Sequence, residues 1–179
     1  MKSIPGIFVW LIVLVGLVSC DELGIKINTN LKADLNIDVE EPLQKDLTAV
    51  YDFYAEETID PLSDPDVQEY IDNIQGWTVD SISVEVISVN TPGVVFMAGT
   101  FFRVSDNTDQ AEWLLDENFS VTEGARLVLD NSGGDWDTVT DILERNAVFK
   151  VSTGGQSNMA NVLVTLRLSI AATVKVNPL

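Results

Sequence analysis

Four acidic side chains lie close together just before and within a predicted helix: Asp60, Asp64, Asp66 and Glu69. Carboxylate oxygens are the ligands that a hard cation such as Ca²⁺ takes, about six to eight at a time. The same residues have a second interpretation, because acids at a helix start cap its free N–H groups and complement the helix dipole. The cluster is therefore a candidate calcium site, with helix capping as the simpler interpretation.

Trp113 follows residues 109–112, Asp-Gln-Ala-Glu, a mostly polar stretch that predicts an exposed loop. Exposed aromatic rings stack against the faces of sugar rings, so Trp113 is the candidate glycan-binding residue. The alternative is packing, since a tryptophan beside strands is more often buried or placed at the rim of a core.

The composition removes most catalytic chemistries. The chain has no histidine, and its single cysteine, Cys20, lies near its start. Cysteine nucleophiles, serine–histidine triads, disulfides and zinc sites built on cysteine or histidine therefore lack their parts. A serine–lysine pair, an oxygen-ligated metal and a glycosidase-like carboxylate pair stay open, but one sequence does not show which carboxylates would meet. We expect a protein without catalytic activity, with a carboxylate-dependent hydrolase as the alternative.

The first residues have the layout of a secretory signal. Lys2 is followed by an uncharged apolar run, residues 7–18, and the polar residues Ser19 to Glu22 come next. A stable membrane-spanning helix needs about 20 apolar residues, so this run is short for one. The pattern favours a cleaved signal peptide.

The tetrapeptide Leu17-Val18-Ser19-Cys20 resembles the lipobox of bacterial lipoproteins, in which an apolar residue and small residues precede a cysteine. The resemblance implies that signal peptidase II removes residues 1–19 and that Cys20 becomes the acylated first residue. Residues 20–23 are then a lipidated tether, and residues 24–179 form a single domain. Two or more acyl chains such as palmitate hold a protein on a bilayer, whereas one does so marginally. We therefore expect a location in the envelope of a Gram-negative-type bacterium, anchored to the outer membrane, with the leaflet left open.

Negative charge dominates the chain, which has 10 Lys and Arg against 28 Asp and Glu and a net charge of −18. Removal of Lys2 with the signal makes the net charge −19. Phosphate backbones are repelled by such a field, so nucleic acid is not an expected partner. Residues 40–80 hold 12 acids and one base, whereas residues 145–179 hold four bases and no acid. We predict that these two oppositely charged segments are neighbours.

Two long segments, residues 24–40 and 161–177, alternate between apolar and polar side chains. Period-two alternation predicts strands with one face on a core. At about 3.3 Å per residue each would be roughly 50 Å long, so we expect each to bend or to divide between two sheets.

Shorter strands are predicted at residues 50–59, 81–89, 94–104, 119–122, 126–129 and 147–153, with helices at 66–74 and 136–146. The segment 94–104 is apolar on both faces and is the predicted central strand, while the pair Gly154-Gly155 predicts a turn. About seven to nine strands with one or two short helices indicate an all-β fold, an antiparallel β-sandwich. The pattern resembles small β-sandwich lipoproteins of immunoglobulin-like or LEA-like type.

These features together predict a lipid-anchored, non-catalytic module that binds or scaffolds an envelope protein or a glycan. A glycan- or calcium-dependent surface adhesion module is the alternative.

Overall fold

The computed structural model describes residues 24–41 and 50–177, so the predicted signal peptide, Cys20 and the tether lie outside the described residues. Ten strands form two antiparallel sheets in the described residues, so the prediction of an antiparallel β-sandwich is confirmed. The predicted number was about seven to nine strands. The strands are β1 (Ile25–Val39), β2 (Tyr51–Ile59), β3 (Ile74–Val89), β4 (Val95–Phe96), β5 (Phe101–Ser105), β6 (Gln110–Leu114), β7 (Phe119–Ser120), β8 (Arg126–Leu129), β9 (Phe149–Ser157) and β10 (Val162–Val176). The α-helices are α1 (Pro65–Gln68) and α2 (Asp135–Glu144), with 3₁₀ turns at Pro61–Ser63 and Ile71–Asn73.

The first sheet has the strand order β1-β10-β3-β8. β1 and β10 pair without a break over all 15 positions, from Ile25 opposite Val176 to Val39 opposite Val162. The expectation that these segments divide between two sheets is wrong, since each is one continuous strand of the first sheet. Neither strand contains glycine or proline, and the register shifts fall on the β3 side, where bulges let a long sheet twist.

The second sheet is centred on β9, which pairs with β2 on one side and with β5 and β4 on the other. The predicted turn at Gly154-Gly155 is wrong, because both residues lie inside β9. A Cβ on Gly154 would lie 2.8 Å from a ring carbon of Phe101, and a Cβ on Gly155 would lie 2.8 Å from the Thr100 Cα. The absence of a side chain at Gly154 and Gly155 therefore allows Thr100 and Phe101 to lie close to β9.

The segment 94–104 is not one central strand. It forms β4, a turn and β5, and Gly99 has a φ of +87° in that turn. The Thr100 N–H donates to the Met97 carbonyl at 3.1 Å. Because glycine adopts positive φ readily, Gly99 interrupts the apolar run at that point.

The helix predicted at 136–146 is confirmed as α2, which buries Val139, Ile142 and Leu143 against the core. The helix predicted at 66–74 is wrong in length, since α1 is one turn long. β3 begins at Ile74 and not at residue 81, with Trp77 and Val79 buried and paired with β10. β3 starts earlier than predicted because β10 is long enough to pair with these residues as well.

The two oppositely charged segments are neighbours, as predicted. β2 pairs with β9 along its whole length, and β3 pairs with β10. Lys150 Nζ lies 2.7 Å from Glu56 Oε1, and Thr173 donates to Asp80 at 2.8 Å. Within residues 24–41 and 50–177, no helix is long and apolar enough to cross a membrane.

Candidate functional site

The acidic cluster lies in the connection between β2 and β3, where two of its members cap short helical turns. Asp60 Oδ1 accepts from the Leu62 N–H at 3.0 Å, and Asp64 Oδ1 accepts from the Asp66 N–H at 2.9 Å. Glu69 is the C-cap residue that follows α1. Over the described residues, no three acidic, cysteine or histidine side chains converge to hold a metal ion. The geometry matches the capping interpretation of these residues.

Trp113 lies in β6, so the prediction of an exposed polar loop around it is wrong. Its side chain is 8% exposed, and its indole N–H donates to the Asp130 carbonyl at 2.8 Å. Trp136 donates in the same way to the Leu129 carbonyl at 3.0 Å. The two indoles fix the end of β8, and Trp113 presents no open ring face to a sugar.

The outward side chains of β1, β10 and β3 form what we call the polar face. Antiparallel pairing places Asn28 beside Thr173, Asn36 beside Thr165 and Asp34 beside Arg167. Arg167 donates through Nε and Nη2 to the two Asp34 oxygens, at 2.7 and 2.8 Å. These hydrogen bonds from Arg167 hold the pKa of Asp34 below its ordinary value. Polar groups on this face largely satisfy one another.

A shallow groove of about 570 Å³ lies at one end of the polar face, between Asn36, Asn90 and Leu163. Asn90 accepts from the Leu163 N–H at 3.0 Å through its side chain, and its own N–H donates to the Leu163 carbonyl at 3.1 Å. The groove walls are therefore bonded to each other, and Asp38 is the one acidic or basic residue among those that line the groove.

The outer face of the second sheet carries a different arrangement. The register places Tyr54 on β2, Gly154 on β9, Phe101 on β5 and Leu114 on β6 in one line across the strands. Tyr54 is 57% exposed and Leu114 is 60% exposed. We call Tyr54, Phe101 and Leu114 the aromatic row. Phe101, which is partly buried, lies between the two exposed side chains.

Gly154 explains how Phe101 comes to lie in this row. The ring passes over the glycine, where any Cβ would collide with it, and the Tyr54 and Phe101 ring centroids are 6.4 Å apart at 47°. The Arg103 guanidinium carbon lies 4.6 Å from the Phe101 centroid, a cation–π contact. Arg103 Nε also donates to Glu112 Oε2 at 2.9 Å, so Phe101 is held in place from more than one side.

Hydrogen-bonded polar pairs flank the aromatic row along the strand direction. Gln156 donates to Asp52 at 3.0 Å on one side of the row, and Lys150 donates to Glu56 at 2.7 Å on the other. The Tyr54 hydroxyl donates to Glu56 at 2.8 Å. The bonds from Lys150 and then from Tyr54 lower the pKa of Glu56, and Glu56 raises the pKa of Lys150. Both side chains are therefore charged at neutral pH.

Sequence analysis did not detect the aromatic row. Tyr54 and Phe101 both lie in predicted strands, but which residue of β2 lines up with which residue of β5 depends on their separate registers with β9. The available signal was Gly154, since a glycine within a strand marks a bulge or a close approach as readily as a turn.

No family model matches the chain, and no curated protein matches it significantly. Among solved structures, the chain is similar to the decameric BFDV capsid protein, with 7% identity and a TM-score of 0.43, covering 84% of this chain and 99% of that one. It is also similar to a chain of Mud crab tombus-like virus, with 9% identity and a TM-score of 0.34, covering 86% and 92%. At these identities and scores the likeness has no bearing on function. The class that the structure defines is an all-β, antiparallel sandwich with an exposed aromatic row.

Proposed function

We propose that the protein is a lipid-anchored, non-catalytic binding module of the bacterial envelope, and that the aromatic row contacts its ligand. The observation that carries the binding role is the alignment of Tyr54, Phe101 and Leu114, of which two are more than half exposed. Large apolar side chains that are aligned and exposed on a monomer's surface are typical of interaction sites. The anchor rests on the lipobox resemblance of residues 17–20.

The direction of the carboxyl pKa shifts supports a non-catalytic role. In the described part of the chain, every carboxyl with a shifted pKa has a lowered one. These are Asp34, Glu56, Asp106 and Asp130. Burial raises the pKa of Asp106, but the N–H groups of Asp109 and Thr108 together with Arg145 outweigh it. A carboxyl that donates a proton near neutral pH needs a raised pKa. These four are held ionised as structural acceptors.

Metabolic labelling with palmitate tests the anchor. We expect label on the full chain and none on Cys20→Ser, because the thiol is the acylated group. Cys20→Ser protein that still takes up palmitate would contradict the lipoprotein assignment.

Site-specific photo-crosslinking tests the binding surface in the same anchored chain. A photo-reactive amino acid at position 54 should give adducts in cells, and one at position 163 on the polar face should give few. Leu163 is a matched control because it is 54% exposed on the opposite sheet. Equal adducts at the two positions would remove the aromatic row as the ligand surface.

A further inference from the structure

We infer that the ligand of the aromatic row is a neutral glycan chain that lies across the strands of the second sheet. This inference rests on the proposed function and names the ligand class for the same site. Tyr54 and Leu114 supply the apolar contacts, and the flanking polar pairs supply hydrogen bonds to hydroxyl groups.

The size of the aromatic row favours a narrow, linear ligand. From β2 to β6 the row crosses three strand spacings, roughly 14 Å, and its neighbouring rows lie about 7 Å away on each side. A stable protein–protein interface buries about 800 Å² on each partner, far more than this strip provides. A single extended chain fits the strip along its length.

The chemistry around the row favours a ligand with apolar faces and hydroxylated edges. A sugar ring has both, since its C–H bonds point to its faces and its hydroxyl groups point outward. The row gives an apolar centre with hydrogen-bonding groups along both sides. Gln156 and Lys150 can donate to sugar hydroxyls, while Asp52 and Glu56 can accept from them.

The charge around the row favours a neutral ligand. The side chains that flank it are three acids, Asp52, Glu56 and Glu112, and two bases, Arg103 and Lys150. They are paired with each other or with a polar neighbour: Arg103 with Glu112, Lys150 with Glu56, and Asp52 with Gln156. The whole chain carries −18, so this patch is close to balanced by comparison. Neither a strongly basic nor a strongly acidic ligand gains much attraction here.

The polar face provides the internal contrast. The described outward side chains of β1 and β10 include no aromatic residue. In β3, which pairs with β10, Trp77 is buried. An exposed aromatic ring is thus present on the second sheet, as Tyr54, and absent from the described outward side chains of β1 and β10.

Affinity electrophoresis in native gels tests the inference with purified Gly24–Leu179. Every strand and helix described lies between Ile25 and Val176, so this chain retains the whole sandwich. The gels contain hydroxyethyl-cellulose, xyloglucan, laminarin, galactomannan or dextran as neutral polysaccharides, with polygalacturonate and heparin as charged ones. We expect at least one neutral polysaccharide, and neither charged one, to retard the domain.

Single substitutions test whether the retardation depends on the aromatic row. Tyr54→Ala should weaken binding about tenfold and Leu114→Ala about threefold, because each removes an apolar contact to a sugar face. Tyr54→Phe keeps the ring and should stay within about twofold of the parent. Leu163→Ala is the matched control for Leu114→Ala and should leave the retardation unchanged. Circular dichroism and melting of each variant show that it is folded.

Two results overturn the inference: no retardation by any of the five neutral polysaccharides, or retardation that Tyr54→Ala and Leu114→Ala leave intact. The crosslinking experiment separates this failure from that of the proposed function. If position 54 forms specific adducts with an envelope protein while no polysaccharide retards the domain, the glycan inference fails and the binding role stands. If position 54 forms no more adducts than position 163, both fail.

Discussion

The two sheets of the sandwich differ in how continuously their strands pair and in which side chains they expose. In the first, β10 pairs with β1 along its full length and with β3 from Val164 to Val176. The outward polar side chains there bond to each other across the strands. In the second, the described strands are at most nine residues long, and Gly154 leaves room for the Phe101 ring to lie over β9 next to exposed Tyr54. The first sheet therefore has the longest continuous strand pairing, and the second sheet has apolar side chains that line up across neighbouring strands.

Alanine at Gly155 has the largest expected effect on this comparison. Its Cβ would lie 2.8 Å from the Thr100 Cα, so the chain between β4 and β5 must move, and we expect a loss of about 1–3 kcal/mol. Gly76→Ala is the control in the first sheet, where the nearest atom is Glu144 Oε1 at 3.5 Å. That variant should be neutral or up to about 1 kcal/mol more stable. Urea unfolding measures both, and equal losses would mean that the two sheets do not differ in this way.

Valine at Thr29 has a smaller expected effect, of opposite sign. Thr29 points inward from β1, and its buried hydroxyl has no hydrogen-bond partner in the described part of the chain. Replacing an unsatisfied hydroxyl by a methyl group should add about 1 kcal/mol. For a domain of this size the thermal midpoint then rises by about 2–4 °C. A lower midpoint for Thr29→Val would show that the hydroxyl is bonded in solution.

Asparagine at Asp34 has the smallest expected effect. The folded pKa of Asp34 is lowered from its ordinary 3.8, chiefly by the hydrogen bonds from Arg167. Its contribution to stability is therefore complete above pH 4 or so and is lost as the pH falls through the folded value. Both side chains are more than a third exposed, so the loss at pH 7 should be under about 1 kcal/mol. Thermal melts of Asp34→Asn and the parent should converge as the pH falls below 3.8. A gap that stays constant would exclude the ion pair as its source.

The long strands were predictable because their alternation is a local property. The outward polar residues of the segments 24–40 and 161–177 could be read from the sequence, and the structure places them side by side. Their continuity was not predicted, because it depends on the partner strand. The meaning of Gly154-Gly155 was missed for the same reason, since Phe101 and Thr100 are distant in sequence. The candidate glycan site was the least predictable feature. Trp113 was identifiable as an aromatic residue, but its burial depends on its indole hydrogen bond to the Asp130 carbonyl and on the neighbours of β6.

The unbroken pairing of β1 with β10 has a mechanical consequence. β1 is the first strand after the proposed anchor, so a pull between the bilayer and a ligand on the second sheet enters the domain at Ile25 and acts along the strand. Antiparallel hydrogen bonds run perpendicular to that direction. The 15 paired positions would therefore share the load in shear and would not open one after another from one end. If the chain is anchored as proposed, β1 would be the strand best placed to keep the domain folded under tension.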